Sequence, residues 1–400
     1  MRILTVHNKY LFRGGEDESR EAEDRLLSAN GHEIRQVVFA NDSIGRSNLF
    51  QIGCHASWSQ TTYDRVAREL AAWKPDVLDV HNFFPLASPS VHYAAHRMGV
   101  PVIQTLHNYR LLCPGANFLR DGRVCEDCTS HMVAWPGVVH RCYRGSALQT
   151  GAVALMISVH RLLRTWQRCV TVFVVLSEFA KRKFVENGFS GSKIVVKPNF
   201  VEDPGETGVG GQEFVFAGRL SREKGILVLL AAMERTGPEV RVNIIGEGPL
   251  EAEVRAAAAR NPRVRFFGRL GHCEVLSQMA AAKCVVVPSI CYETFGRAAA
   301  EAYSVGSPVI ASRIGALEEM VENGRTGLHC EPGDPADLAR AMIWVTQNQP
   351  AVARMRMEAR LEYLEKYTAE RNYGLLVSIY ERAIAGNSPR RKSGAASLPH

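Results

Sequence analysis

Residues 213–225 read Glu-Phe-Val-Phe-Ala-Gly-Arg-Leu-Ser-Arg-Glu-Lys-Gly. The first half is a short β-branched and aromatic run of the kind that forms a buried parallel strand. It runs directly into a turn that carries Arg219 and Lys224, five positions apart, at the expected start of a helix. A guanidinium fork and an ammonium at a helix N-terminus can neutralise a diphosphate without a metal. A solvated basic turn has the same local sequence, so the neighbouring segments decide between the two readings.

Two neighbours repeat the strand-turn-helix plan. In residues 240–251, VRVNIIGEGPLE, Gly246 and Gly248 follow a strand and allow close backbone approach to a ligand, and Pro249 suits the first position of a helix. In residues 284–302, CVVVPSICYETFGRAAAEA, a buried strand ends at Pro288 and a loop carries Glu293, Thr294 and Phe295. Gly296 then opens an Ala-rich helix bearing Glu301. A mostly helical interval of that length spans ~12 Å, about the distance from a ribose to a hexose across a diphosphate. One carboxylate can then hold sugar hydroxyls while the other takes the ribose diol, with the helix N-terminus between them facing the phosphates.

The same alternation extends along all 400 residues. RILTV, EIRQVVF, DVLDVH, PVIQTLH, TVFVVLS and KIVVKP form a first series of strands, separated by helix-like stretches such as Glu16–Ala29 and Thr61–Trp73. EFVFAG, VRVNIIG, VRFFG, CVVVPS, PVIAS and a short Gly327-Leu328-His329 form a second. Strands alternating with helices predict parallel sheets covered by helices, and the length favours two large domains. Residues 198–212, rich in Pro, Gly and acid, read as a hinge. The expected domains are 1–198, with a Cys-rich insertion at 108–145, and 199–385, with a disordered tail at 386–400 and a last helix that could cross back onto the first domain. Ligands bind outside the carboxyl ends of such strands, so the site is expected in the interdomain cleft.

Composition narrows the partners. The net charge of +7 comes from 48 basic against 41 acidic residues, too balanced for a nucleic-acid-binding stripe. The N-terminus MRILTVH opens as a strand and lacks the features of a signal peptide, which predicts a cytoplasmic protein with reduced cysteines. No run reaches the ~18 apolar residues of a membrane span. Ala147–Arg168, apolar with basic residues near its end, could instead lie at the inner face of the plasma membrane or simply cover its own sheet. Cys113, Cys125, Cys128 and Cys142, spaced C-x11-C-x2-C-x13-C, suit a closed structural zinc site that pins a long loop, or are buried thiols.

In the first half, Gly14 and Gly15 stand at a helix entry where backbone N–H groups can approach an anion. His107 and Asn108 follow the strand PVIQTL at the edge facing the expected cleft, and His81 and Asn82 occupy the same place after DVLDV.

The three turns GRLSREKG, GEGP and ETFGRAAAE, in that order, resemble the marks of the retaining glycosyltransferases of family 4, which have the two-domain GT-B fold. GGEDE near residue 14, LHNYRLLCPG and KPNFV extend the resemblance over nearly the whole chain. It implies an α/β fold of two Rossmann-like domains with parallel sheets facing a cleft. It also implies that Arg219 and Lys224 hold the donor diphosphate, Glu301 the ribose and Glu293 the transferred sugar. The Gly14-Gly15 loop is expected to reach the donor phosphate, and His107 to lie near the reacting sugar. No second carboxylate is placed as a nucleophile and no DxD turn is present, so the resemblance implies front-face substitution without catalytic metal. The expected activity is transfer of a sugar from a nucleotide-diphosphate donor to a glycan or lipid-linked acceptor in surface polysaccharide synthesis. An epimerase or hydrolase of the same fold and a non-catalytic nucleotide-sugar-binding protein are the alternatives.

Overall fold

The structure is a computed structural model that describes residues 1–9, 14–40, 55–205 and 207–387. The first sheet begins with β1 (Arg2–Lys9), β2 (Glu33–Ala40), β3 (Val77–Asn82) and β4 (Val102–Thr105). A small hairpin, β5 (Leu119–Arg120) and β6 (Arg123–Val124), interrupts the series, and β7 (Val172–Val175) and β8 (Ile194–Val196) complete it. The order is β2-β1-β3-β4-β7-β8, and every pairing in it is parallel. The second sheet contains β9 (Phe214–Ala217), β10 (Val242–Ile245), β11 (Val264–Gly268), β12 (Cys284–Val287), β13 (Val309–Ser312) and β14 (Gly327–Cys330). Its order β11-β10-β9-β12-β13-β14 is the Rossmann order, again wholly parallel.

All twelve expected strands form, for the reason their composition gave. Residues of β3, β4, β7, β10, β12 and β13 are buried along their whole length, because helices cover both faces. The crossover helices are started by their own sequence. Ser59 Oγ accepts from Thr62 N–H ahead of Gln60–Trp73, and Ser177 Oγ accepts from Ala180 N–H ahead of Glu178–Glu186. The hairpin and a short helix, Trp135–Val139, lie within the Cys-rich insertion.

The linker between the sheets is more ordered than its Pro, Gly and acid content predicts. A Cβ on Gly208 would lie 1.9 Å from the Ala280 carbonyl oxygen, and one on Gly211 2.4 Å from that of Ala281. The Arg356 guanidinium clamps the same place, donating to the carbonyls of Gly208, Ala280 and Ala282. The glycines therefore let the linker lie flat against the second domain.

A second crossing runs beside the first. Val201 N–H donates to Tyr367 O at 3.0 Å, Tyr363 Oη to Val201 O at 2.9 Å and Asn372 Nδ2 to Pro198 O at 2.6 Å. Past it, the helix Ala369–Asn387 buries Leu376, Ile379, Tyr380 and Ala383 against Ile3, Val77, Ile103 and Val172 of the first sheet. The chain thus returns to its starting domain, as its final helical stretch suggested. Most of the tail expected at 386–400 lies outside the described residues.

Candidate active site

The three turns singled out in the second domain converge, and their backbones explain why. Gly218 N–H donates to Ile245 O at 3.0 Å, Leu220 N–H to Glu247 O at 2.9 Å, and Leu250 N–H to Leu220 O at 3.0 Å. Ile290 N–H donates to Glu223 O at 2.9 Å, which ties the same turn to the loop after β12. Gly246 and Gly248 have φ of 140° and 158°. A Cβ would lie 1.9 Å from Gly218 O in the first case and 2.5 Å from Leu220 O in the second. Their side-chain hydrogens thus make room for the neighbouring turn, where the sequence suggested room for a ligand. Gly225, at φ 72°, would place a Cβ 1.8 Å from Pro288 O. Pro249 sits in the turn before the helix Glu251–Arg260 and not at its first position.

This interlock delivers the side chains. Lys224 Nζ lies 2.6 Å from Glu293 Oε1, and Ser289 Oγ donates to the same oxygen at 2.8 Å. Burial would pull the Lys224 ammonium down, but the adjoining Glu293 carboxylate more than offsets it and holds the ammonium above its ordinary value. Arg219 is exposed on the same turn. Thr294 Oγ1 donates to His107 O at 2.7 Å, across the cleft, whereas Phe295 is buried against Tyr367 and presents no side chain to a ligand. Gly296 caps the helix Arg297–Ser304, but its N–H meets Met320 Sδ at 3.2 Å and is not aimed at the cleft.

Glu301 accepts from Arg297 Nε at 2.9 Å. The same guanidinium reaches Glu18 Oε2 at 2.9 Å and Gly15 O at 3.4 Å, so the Gly14-Gly15 helix entry does meet the second domain, through Arg297. The sequence reading gave Arg297 no role, although its i,i+4 spacing to Glu301 was a usable signal. Tyr292 makes a further contact, inserted among Phe118, Phe179 and Tyr109 of the first domain and donating to Glu126 at 2.9 Å.

On the first-domain side, His81 Nδ1 and His107 Nε2 lie 3.0 Å apart, with the rings edge to edge and their planes 20° apart. His81 Nε2 faces Asp79 at 3.5 Å and Glu23 at 3.9 Å. Asp79 in turn accepts from Tyr380 of the returning helix, and Glu23 pairs with the buried Lys197. Burial pushes His81 down, but Asp79 and Glu23 outweigh it and raise its pKa; burial and the neighbouring His81 charge push His107 well below its ordinary value. A small pocket at the ends of β3 and β4 is lined by His81, Asn82, Phe84, Gln104, His107 and Arg110.

The cysteines Cys113, Cys125, Cys128 and Cys142 all line one pocket of the insertion as free thiols. Among the described residues, no three His, Cys, Asp or Glu side chains are arranged to hold a metal ion.

Comparison with known proteins agrees with this fold. Residues 25–203 match Glycosyltransferase Family 4, and residues 211–348 match Glycosyl transferases group 1. Glycogen synthase of Mycobacterium tuberculosis is 40% identical over 162 residues, which cover 39% of this chain and only 38% of that relative's length. The 2-deoxystreptamine glucosyltransferase of Streptomyces kanamyceticus is 26% identical over 347 residues, covering 83% of this chain and 84% of that one. Anabaena HepE, solved in complex with UDP, shares the fold with a TM-score of 0.69 at 17% identity, over 95% of this chain and 100% of HepE. Each half of the chain thus matches a glycosyltransferase model, and the protein is a glycosyltransferase with the GT-B fold.

A charged His81 has protons on both ring nitrogens, so the shared hydrogen bond puts the His107 proton on Nδ1. Nitrogen-15 NMR of labelled histidines should find His81 cationic and His107 neutral as the Nδ1–H tautomer at pH 6.5. The stabilisation from His81 is complete below its unfolded pKa of about 6.5 and is lost as pH rises through the higher folded value. A neutral His81, or His107 protonated on Nε2, would contradict the assignment.

Proposed function

We propose that this chain transfers a sugar, with retention, from a nucleotide-diphosphate donor to a hydroxyl of a glycan or lipid-linked acceptor. The observation that carries the reading is the meeting of Lys224 and Glu293 at the junction of three second-domain turns, with Thr294 of the same loop donating to the His107 carbonyl of the first domain. In this reading Lys224 and Arg219 take the diphosphate, Glu301 the ribose and Glu293 the sugar hydroxyls. The presence of UDP in the HepE complex supports a nucleotide donor.

The reaction breaks the bond between the anomeric carbon and the diphosphate oxygen and forms a bond from that carbon to the acceptor oxygen on the same face. The acceptor proton passes to the departing diphosphate. Negative charge therefore grows on the leaving oxygens in the transition state, where a fixed cation is most effective. His107, neutral and held by His81, contributes a hydrogen bond to the sugar rather than a proton to the leaving group.

Lys224→Ala should lower turnover by ~10²-fold or more, because it removes a cation aimed at the leaving group. The assay follows nucleoside diphosphate release with and without candidate acceptors. Unchanged turnover in the variant would displace the phosphate site, and acceptor-independent donor consumption at full rate would favour a hydrolase or epimerase.

The insertion cysteines are read as a structural zinc site on their spacing and shared pocket; Cys113, Cys125, Cys128 and Cys142 would hold the ion as thiolates and so pin the insertion. Elemental analysis should find about one zinc per chain, lost on Cys125→Ser. Metal-free protein of full activity and stability would discard the site.

A further inference from the structure

The insertion and the helix after it expose an apolar surface that the reaction does not use. Along the helix Ala147–Leu162, Leu148, Leu155 and Leu162 are 55%, 50% and 73% exposed. Their spacing of seven puts them in one row on the helix. The opposite side of the helix is fully engaged, with Val153, Met156 and Ile157 in the first-domain core. The row is therefore not the buried face of an ordinary amphipathic helix.

The short helix Trp135–Val139 extends the patch. Ala134 and Val138 pack on Ala154 of the longer helix, while Trp135 and Val139 are left 52% and 64% exposed. Arg161 donates to His131 O, fixing the two segments to each other. A soluble surface rarely gathers so many large apolar side chains without a partner.

Charge identifies the partner. From Cys128 to Ser177, fifty residues contain no Asp or Glu, and their charged residues are five arginines. Arg141 and Arg144 precede the leucine row, Arg164 and Arg168 follow it, and all four are exposed. The rest of the chain is close to balanced, so the asymmetry belongs to this segment. An apolar row with arginines at both ends matches an anionic bilayer surface, where leucine and tryptophan enter the headgroup boundary and the cations meet lipid phosphates. No helix among the described residues is long and apolar enough to cross a membrane, so the contact lies in the interfacial plane.

We propose that the face formed by Trp135, Val139, Leu148, Leu155 and Leu162 docks the protein onto anionic lipid. None of these five side chains lines the pocket at His81 and His107, so docking is tested without donor or acceptor. The full chain is sedimented with vesicles of phosphatidylcholine containing about one third phosphatidylglycerol, and with vesicles of phosphatidylcholine alone. Binding is expected only to the anionic vesicles and should weaken in high salt. Leu155→Gln with Leu162→Gln should reduce the bound fraction about tenfold or more while thermal stability and nucleotide binding stay unchanged. Absence of binding to anionic vesicles, or full binding by the double variant, overturns the proposal. So does a concentration-dependent dimer that the double variant abolishes with no vesicle binding by the original chain, since the patch would then join two copies.

Discussion

The ammonium of Lys224 and the carboxylate of Glu293 face each other at 2.6 Å, and much of the second domain exists to bring them there. Neither residue is near the other in sequence, and each sits on a loop that could not hold it alone. The hydrogen bonds among the Gly218, Gly246 and Ile290 segments turn three separate strand ends into one rigid platform. The three glycines whose missing Cβ atoms permit this contact are as much a part of the site as the charges they bring together. Lys224 remains 36% exposed and within reach of an incoming anion, whereas Glu293 is only 13% exposed and keeps the Ser289 hydroxyl as a donor when the ammonium turns away.

The facing wall is built on a different principle. Burial and the neighbouring His81 hold the His107 imidazole well below its ordinary pKa, while Asp79 and Glu23 hold His81 above its own. Asp79 depends on Tyr380 and Glu23 on Lys197, which lie on the returning helix and at the entrance to the linker. The two chain crossings are thereby joined to the histidine that lines the cleft.

How far the sequence carried this account depends on the range of the interaction. The strands were legible because burial on both faces writes continuous β-branched runs, as in Cys284–Val287 and Val172–Val175. The charged turn and Glu293 stood out because they closely follow such strands, and Glu301 because it lies on the helix that comes next. Gly246 and Gly248 were recognised as special, but for a ligand; the true cause, a neighbouring turn, requires the pairing of β9 with β10. The partnership of Asp79 with Tyr380 spans 301 positions, and no local pattern announces it. Phe295 looked like part of a ligand loop because it lies between Thr294 and Gly296, yet only the packing of Tyr367 decides that it points inward.

The central claim is that Lys224 is held by Glu293 until a diphosphate takes its place. Calorimetric titration of UDP, GDP and ADP into the protein and its Glu293→Gln variant tests this most directly. The account predicts that whichever nucleotide binds does so several-fold more tightly to the variant, because the competing carboxylate has been neutralised and Lys224 released. Equal or weaker binding by a correctly folded variant would contradict it.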